Sequence, residues 1–472
     1  MNQTPAGGLS DRRKLLAYLT LLVALVLEIV DVTIVNTALP AIEHDFGAAA
    51  AEAQWVSAGY SLAFALLLLL GGRLGDAIGY KRMFIGGIAG FTVASLLCGL
   101  SRGPDELIAA RVLQGACGAM MAPQVMALVQ VLFAPLERVA KLAWVGVIGG
   151  LSAILGPVLG GLLIHADLFG LGWRSVFLIN GPVGLAAALL AWRLLPPARS
   201  ATARGIDGGG TLLFASAIGA LLFPLVRGAE RGWHALHLAL LAASPLLLWL
   251  VSHRARQRTA QGRAALFDPA LFAQRQFPLG LAVSLLFGAA CGGFLFVFAF
   301  GAQQVLGYSP LDTGLLHIPF SMGVMLGIGF LGRRFIAAHG KRVLVAGMGM
   351  MALGAGGTLV WIWQGGAPFW VLPVLALAGT GMGMTNGPLT PVTLARVDTR
   401  HAGTASGLVK TVQELGMALG VAIVGSAFFA AASVDRQSAV LPALAAIEAL
   451  LCLCALLALR LPECLFPEHD GH

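Results

Sequence analysis

The chain has 472 residues, of which 58% are hydrophobic and only 11% are charged, and its mean hydropathy is +0.85. Soluble globular chains are roughly 45–50% apolar and about 25% charged, so this composition excludes most enzymes, any large water-soluble domain and the disordered and fibrous classes. The net charge of +8 would suit a nucleic-acid partner only if the basic residues lay together on a polar surface, so their positions must be considered first.

Apolar segments alternate with charged, proline-rich or turn-rich stretches along the whole chain. A helix needs about 20 mainly apolar residues to cross a bilayer. The first segment follows Arg12, Arg13 and Lys14, and it is too long for a signal peptide, so it is predicted to be an uncleaved helix. In total the sequence predicts fourteen transmembrane helices, at residues 15–40, 54–72, 83–101, 107–133, 141–164, 176–195, 208–227, 234–252, 278–302, 313–332, 343–363, 369–391, 404–430 and 439–461.

The basic residues are distributed unevenly between alternate loops. If the N-terminus is cytoplasmic, 23 of the 30 Lys and Arg residues lie on the cytoplasmic side and five on the other side, while Arg111 and Lys410 lie inside helices. Lys and Arg accumulate in cytoplasmic loops, where they meet anionic lipid. This pattern predicts a multi-pass protein of a bacterial-type inner membrane with both termini cytoplasmic, and it leaves no basic surface for nucleic acid.

Two halves of the chain repeat each other. The stretch from Gly72 to Arg82 has a weaker copy at Gly332-Arg333 and Gly340-Lys341-Arg342, and the offset from Gly79 to Gly340 is 261 residues. Glycines 115 and 118 with Pro123 are likewise repeated as glycines 379 and 383 with Pro388. Parallel repeats of this kind are a transporter architecture. The predicted organisation is an N-terminal six-helix bundle at 1–200, two linker helices at 201–265 and a C-terminal six-helix bundle at 266–472.

Ionisable residues inside apolar helices are costly and are therefore candidates for function. Glu28 and Asp31 are three residues apart in the first predicted helix and share one face. Buried carboxyl groups can take up a proton near neutral pH, which a proton-coupled carrier requires. The alternative is that they only pair with a buried base or form hydrogen bonds between helices.

Three further charged residues lie within predicted helices. Arg111 cannot lose its charge, so it must find an acceptor in the bundle interior, either as a structural pair or as a group that helps a carboxyl release its proton. Lys410 and Glu414 are spaced i, i+4 and can neutralise each other. Glu414 is therefore either part of an internal ion pair or a site for substrate or protons.

A glycine-rich stretch marks the fifth predicted helix. Residues 146–161 hold six glycines and Pro157, with GxxxG spacing at 146/150 and 156/160. Small residues allow helices to approach closely, and proline kinks a helix. The run Leu155-Gly156-Pro157-Val158-Leu159-Gly160-Gly161 is its most specific part.

With these motifs in order, the chain resembles the major facilitator superfamily, and within it the fourteen-helix drug:proton antiporter group. Residues 72–82 are similar to the loop motif GxLxDxxGxKR, Arg111 with Gln114 and Gly115 to RxxQG, and residues 155–161 to the antiporter motif. Other stretches match the group at residues 31–40, 173–177 with Asn180 and Pro182, and 303–310.

The resemblance implies a fold and a set of site residues. The fold would be all-α, with two six-helix bundles and two intercalated helices. Asp31 would couple protons, assisted by Arg111, and Glu28 and Glu414 are further candidates for this role. The remaining implied sites are substrate-binding residues Asp31, Glu28, Gln303, Asn386 and Glu414, a conformational latch of Gly72, Asp76, Gly79, Lys81 and Arg82, and an antiporter hinge of Gly156, Pro157, Gly160 and Gly161.

The expected function is proton-coupled export of hydrophobic drugs or antibiotics by alternating access, driven by the proton gradient without a cofactor, a metal or ATP. Acidic residues favour lipophilic cations as substrates, whereas Lys410 admits neutral or zwitterionic compounds. The chain departs from the group's usual pattern in Glu28, in Lys410 and Glu414, and in the second loop copy, which lacks an acidic match to Asp76. A monomer is expected among membrane lipids. The alternatives are a symporter that imports a metabolite and a nontransporting membrane sensor or enzyme.

Overall fold

A computed structural model describes residues 10–48, 50–198, 207–231, 234–273, 275–366, 370–395, 397, 402–432, 435 and 437–461. In these ranges the chain folds into helices and short connections, without a strand. Each of the fourteen predicted segments is helical, so the predicted all-α fold is confirmed. The predicted boundary between residues 200 and 201 lies outside the described ranges.

The six helices of the N-terminal half are α1 (Asp11–Phe46), α2 (Ala50–Ile78), α3 (Tyr80–Gly99), α4 (Pro104–Leu132), α5 (Pro135–Ala166) and α6 (Asn180–Leu194). The linker helices are α7 (Gly208–Arg231) and α8 (Ala235–Ala260). The C-terminal half contains α9 (Gln276–Phe300), α10 (Pro310–Leu326), α11 (Lys341–Trp363), α12 (Val371–Leu394), α13 (Ala402–Ala432) and α14 (Val440–Ala458).

Short helical segments extend three of these helices. Two turns, Gly172–Arg174 and Ser175–Leu178, lead into α6. A π-helical turn, Gly301–Val305, continues α9, and the segments Gly327–Gly332 and Arg333–His339 continue α10. Short 3-10 turns, Leu168–Gly170 and Pro269–Phe272, lie in connections.

Local sequence signals explain where several helices begin and end. Ser10 caps α1, because its hydroxyl accepts a hydrogen bond from the amide of Arg13, and Gly47 ends α1 in the left-handed region at φ 58°. Proline opens α4, α5 and α10 at a position where its missing N–H costs nothing. Ser309 and Asp312 form a capping box at the start of α10.

Thirteen helical spans in the described ranges are long and apolar enough to cross a membrane. The remaining helix, α12, has 24 residues, and many of them are small or polar. At 1.5 Å per residue it is about 36 Å long, which suffices to cross a bilayer. It packs against α10 and α11, so its backbone is covered by protein on those sides.

The two halves repeat each other in their packing. In the N-terminal half α1 packs against α5 and α6, while α4 packs against α2 and α3. In the C-terminal half α9 packs in the same way against α13 and α14, and α12 against α10 and α11. These are equivalent pairs, eight helices further along the chain. The predicted sequence repeat is therefore also a repeat of helix packing.

Individual glycines show the same repeat. Gly79 and Gly340 precede α3 and α11 with φ of 110° and 50°, values that favour glycine. A Cβ at Gly115 of α4 would overlap the carbonyl oxygen of Tyr60 in α2, and a Cβ at Gly379 of α12 would overlap that of Phe320 in α10. The repeated glycines thus allow equivalent close helix contacts in both halves.

The halves meet along two seams. One seam joins α5 to α10, and the other joins α2 to α13. Helix α7 packs on both α2 and α13, and α8 packs on α7. We call the bundle end with the start of α1 and the α2–α3 turn at Gly79 the N-terminal face, and the end with the α1–α2 connection at Gly47 the opposite face.

Candidate functional site

A buried ion pair joins α1 to α4. The Nη1 atom of Arg111 donates to the Oδ2 atom of Asp31 at 2.6 Å, and the two residues are 1% and 0% exposed. A charge buried in this way is stable only if it is paired and its hydrogen bonds are satisfied. Two of the three ionisable residues that the sequence singled out within helices of the N-terminal half, Asp31 and Arg111, are therefore in direct contact.

Amide side chains complete the coordination of Asp31. Its Oδ1 atom accepts from the amides of Gln114 at 2.7 Å and Asn180 at 2.9 Å. Asn180 also donates to Ser95, whose hydroxyl donates to the carbonyl of Phe177. Asp31 thus accepts three hydrogen bonds from residues of α4 and α6.

Further hydrogen bonds hold the guanidinium of Arg111 in place. Its Nε atom donates to the carbonyl of Val56 in α2 at 3.1 Å, and Nη1 also donates to Gln114 at 2.7 Å. The guanidinium lies 4.3 Å from the ring centroid of Tyr60. Because both charges are enclosed and bonded, a proton on Asp31 would cancel its charge and leave Arg111 without a counter-ion.

Glu28 lies one turn before Asp31 but in a different environment. Asp31 is enclosed within the N-terminal half, whereas Glu28 is half-buried and interacts electrostatically with Lys410 and Glu414 of α13. Glu28 and Asp31, which the spacing predicts to share one helix face, therefore have different surroundings. Glu28 lies within electrostatic range of charged residues of the C-terminal half, while Asp31 is bonded within its own half.

Lys410 and Glu414 form an ion pair of 2.6 Å on α13. The side chain of Lys410 is 53% exposed and that of Glu414 is 10% exposed. Together with Glu28 they place two acidic groups and one basic group between the halves, so this group carries a net negative charge when all three are ionised.

Two other predicted substrate-binding residues make specific hydrogen bonds. The amide of Gln303, in the turn after α9, donates to the carbonyl of Thr37 in α1 at 2.9 Å and so joins the two halves. The amide oxygen of Asn386 in α12 accepts from Gln413 of α13 at 2.6 Å. Asn386 is thus positioned within the C-terminal half.

The predicted latch lies at the N-terminal face. The hydroxyl of Tyr80 donates to Asp76 at 2.9 Å, and Arg82 is exposed, with no ion pair between Asp76 and Arg82 in the described ranges. Gly72 packs near Pro123, Gly79 provides the turn, and Lys81 is half-buried beside it. In this conformation the predicted latch is therefore joined by the hydrogen bond between Tyr80 and Asp76, and the described residues hold no charge pair between Asp76 and Arg82.

The predicted hinge places α5 between α1 and α10. A Cβ at Gly156 would overlap the hydroxyl of Thr33, and one at Gly160 would lie 2.8 Å from Ile34. On the other side, a Cβ at Gly161 would lie 2.7 Å from Leu311, and the carbonyl of Pro157 faces Gly314. The glycines therefore bring α5 into close contact with the helix that carries Asp31 and with a helix of the other half.

Several polar groups in the membrane helices have roles that the sequence did not indicate. Gln114 and Asn180 lay in matched motifs, but no role was assigned to them, and nothing in the local pattern indicated Tyr60. Gln304 donates to Glu43 at 2.6 Å, a second bond between the halves. Glu448 in α14 has a buried carboxyl oxygen without a hydrogen-bond partner in the described ranges.

The described ranges hold no cluster of His, Cys, Asp and Glu residues suited to a metal ion.

Comparisons with known proteins agree with this architecture. The family model described as Major Facilitator Superfamily matches residues 21–421. The chain is 42% identical over 442 residues to a probable actinorhodin transporter of Streptomyces coelicolor, covering 92% of this chain and 76% of that one. It is 33% identical over 440 residues to the tetracenomycin C resistance and export protein of Streptomyces glaucescens, covering 89% and 77%.

A solved structure has the same fold at low sequence identity. It is a bacterial homologue of the human lysosomal transporter Spinster, in an inward-facing and unoccupied conformation. The TM-score is 0.64 at 17% identity, with 95% of each chain covered.

Proposed function

The chain belongs to the major facilitator superfamily and is a transporter rather than an enzyme, and from this premise we propose that it is a proton-coupled exporter of hydrophobic drugs or antibiotics. It acts as a monomer by alternating access, with lipophilic cations as its main substrates and the proton gradient as its energy source. The single observation that carries this proposal is the enclosed ion pair between Asp31 and Arg111.

The proposed orientation places the N-terminal face in the cytoplasm of a bacterial cell. The uneven distribution of Lys and Arg between alternate loops supports it, because basic loops remain on the cytoplasmic side. Both termini would then be cytoplasmic, and the opposite face would meet the outside of the inner membrane. Substrate would load from the cytoplasmic side and protons would enter from outside.

The coupling step that we propose is the discharge of Asp31 by a proton. Protonation removes the negative charge opposite Arg111 and converts one oxygen of Asp31 from an acceptor to a donor. Leaving a buried charge without its partner costs about 3–5 kcal/mol, which is enough to change the preferred arrangement of the helices around it. The three hydrogen-bond donors to Asp31 would oppose protonation until the surroundings change.

The movement from Asp31 to the other half would pass through α5. Thr33 lies two residues after Asp31 on α1 and contacts Gly156 of α5. Pro157 and Gly161 of α5 contact α10. Close-packed interiors are hardly compressible and transmit strain, so a shift of α1 would be passed to α5 where the glycines let these helices approach closely. The Gly-Pro run would thus act as the hinge of the antiporter.

The substrate site that we propose lies between the halves at Glu28, Asn386 and Glu414, with Asp31 behind it and Gln303 near the opposite face. The net negative charge of Glu28, Lys410 and Glu414 favours a cationic group. A proton that neutralises Glu28 would weaken the hold on this cation. Proton and substrate would then bind in alternation, as antiport requires.

Export is favoured over import of a metabolite by the names of the relatives. One is named a transporter of actinorhodin and another a resistance and export protein for tetracenomycin C.

The predicted latch fits the same cycle. Asp76 would give up its hydrogen bond with Tyr80 and pair with Arg82 when the halves close at the N-terminal face.

Efflux from cells that express the chain would test the proposal. A panel of three dyes of similar size, one cationic, one neutral and one anionic, is loaded with and without a protonophore. We expect the cationic dye to be exported strongly and the protonophore to abolish this export. Export that continues after the gradient collapses would contradict proton coupling, and a preference for the anionic dye would contradict the proposed substrate charge.

A further inference from the structure

The two seams between the halves differ in their exposure at the outer surface of the bundle. On α5 the side chains of Leu151, Leu155 and Leu162 are 46–50% exposed. On α10 Leu315, Met322 and Leu326 are 46–61% exposed. Each set recurs at helical spacing and forms one outward stripe. The α5–α10 seam is therefore bordered on both sides by large apolar side chains that face the bilayer.

The α2–α13 seam lacks such a border. Among the described residues of α2 and α13, the large apolar side chains that are clearly exposed are Ile78, at the end of α2, and Ile423 at 40%. In its most apolar 18-residue stretch, 67% of α2 is buried, which among the described membrane-spanning helices is second only to α9. Since α2 is equivalent to α10 in the repeat, something outside the repeat must cover it.

The linker helices provide this cover. Helix α7 lies on both α2 and α13 and buries a stripe that includes Phe214, Ile218 and Leu222. It is fixed to α8 at the N-terminal face, where Asp207 accepts from Arg254 at 3.0 Å. Deeper in the membrane, the hydroxyl of Ser244 in α8 donates to the carbonyl of Ala217 in α7 at 2.9 Å.

We propose that α7 and α8 close the α2–α13 seam to lipid, and that lipophilic substrates enter the transporter from the bilayer through the α5–α10 seam. This inference rests on the proposed function in taking the substrates to be lipophilic. A hydrophobic compound concentrates in the bilayer, so a lipid-facing entrance receives it without passage through water.

The α5–α10 seam also leads directly towards the candidate site. Gly156 of α5 packs on Thr33 of α1, two residues from Asp31. Near the middle of the seam, a Cβ at Gly150 would lie 3.2 Å from the Cγ atom of Met325. Among the described residues, this flexible side chain alone lies within 4 Å of such a Cβ, whereas backbone closes the seam at Gly161 and Gly314.

Two matched cross-links would test the entry route. In a background with the six cysteines replaced, one variant carries Gly150→Cys with Met325→Cys across the α5–α10 seam. The other carries Leu69→Cys with Gly407→Cys across the α2–α13 seam, where a Cβ at Gly407 would lie 3.1 Å from Leu69. Both pairs are joined by a short methanethiosulfonate cross-linker in liposomes. Both cross-links restrain the halves, so the measurement is the association rate of rhodamine 6G and not transport.

We expect the α5–α10 cross-link to slow association by about fivefold or more relative to the α2–α13 cross-link, with recovery on reduction. An equal effect of the two cross-links, or a larger effect at α2–α13, would overturn the route. If rhodamine 6G fails to bind even without a cross-link, the proposed substrate class is wrong. The route is then decided by the oxygen accessibility of spin labels at Met322 and Leu66, since equal accessibility on α10 and α2 would overturn it.

Discussion

Asp31 and Arg111 form an ion pair of 2.6 Å that lies wholly within the N-terminal half. The hydrogen bonds found for this pair come from α1, α2, α4 and α6, and no described residue of the C-terminal half contributes to them. Asp31 is nevertheless next to residues of α1 that contact α5, which in turn contacts α10. A change of charge at Asp31 can therefore reach the other half through helix packing alone.

Asp31→Asn should abolish proton-driven efflux. Asparagine preserves the shape of the side chain but removes the charge, so Arg111 loses its counter-ion and the site can no longer take up and release a proton. We expect efflux to fall by more than about tenfold, with the variant still present in the membrane. Asp11→Asn is the matched control, because Asp11 is an exposed acidic residue whose ion pair with Lys14 spans 3.8 Å. Wild-type efflux in Asp31→Asn would remove Asp31 from the coupling mechanism.

Arg111→Lys should impair turnover more than the amount of protein in the membrane. Lysine keeps the positive charge, but a single ammonium group cannot bond Asp31, Gln114 and the carbonyl of Val56 in the geometry that the guanidinium uses. We expect a drop in turnover of about tenfold, with surface expression within about twofold of the wild type. The measurement is dye efflux per molecule at the surface. Equal loss of turnover and expression would indicate a purely structural role.

Gly156→Ala should slow transport by separating α5 from α1. The added Cβ would overlap the hydroxyl of Thr33, so one helix must shift. Thr33→Ala removes this oxygen, and we expect it to restore part of the lost activity in the double variant. Gly86→Ala on α3 is the control, because nothing lies within 4 Å of its added Cβ. Normal efflux in Gly156→Ala, or no rescue by Thr33→Ala, would contradict the close contact as the source of coupling.

The sequence predicted the helices and their repeat well because both depend on local properties. Apolar length determines a crossing, and a glycine such as Gly79 is required by a backbone turn that any copy of the motif must make. The partners of Asp31 were harder to predict, since Asn180 is 149 residues away and reaches Asp31 only through the packing of α6 on α1.

Residue spacing also could not distinguish Glu28 from Asp31. A spacing of three residues places both on one helix face, but the neighbouring helices cover one and leave the other half-buried. Gln303 is a similar case, because the motif that contains it did not indicate that its amide would bond the backbone of Thr37. These differences depend on how the two halves are placed against each other, which no local pattern determines.

The ion pair between Lys410 and Glu414 should contribute to transport beyond the effects of either residue alone. Lys410→Met leaves Glu414 charged and unpaired, and Glu414→Gln leaves Lys410 unpaired. We expect the double variant to be less impaired than the product of the two single effects, by a few-fold in efflux, since Lys410 is half exposed and its charge is partly screened by water. A double-mutant cycle with no coupling would mean that Glu414 acts independently, as a site for substrate or protons.

Removing the hydrogen bonds between the halves near the opposite face should favour opening there. Gln304 donates to Glu43 at 2.6 Å and Gln303 to the carbonyl of Thr37 at 2.9 Å, and both bonds join α1 to the turn after α9. Hydrogen bonds contribute about 0.5–1.5 kcal/mol each, or about 1.5–3 kcal/mol when one partner is charged. Gln303→Ala with Gln304→Ala should therefore shift the equilibrium towards the open form by about tenfold or more.

Pulsed electron spin resonance between labels at His44 and Leu315 would measure this shift, because the distance should lengthen as α1 and α10 separate. The control is Gln437→Ala, which removes a 2.6 Å bond from Gln437 to the carbonyl of Trp363 within the C-terminal half. Both residues of this control bond belong to the C-terminal half, so its loss should leave the distance distribution between the labels unchanged. If the double variant also leaves the distribution unchanged, these two bonds do not hold the opposite face closed, and the packing of α5 against α10 at Gly161 and Gly314 is sufficient to do so.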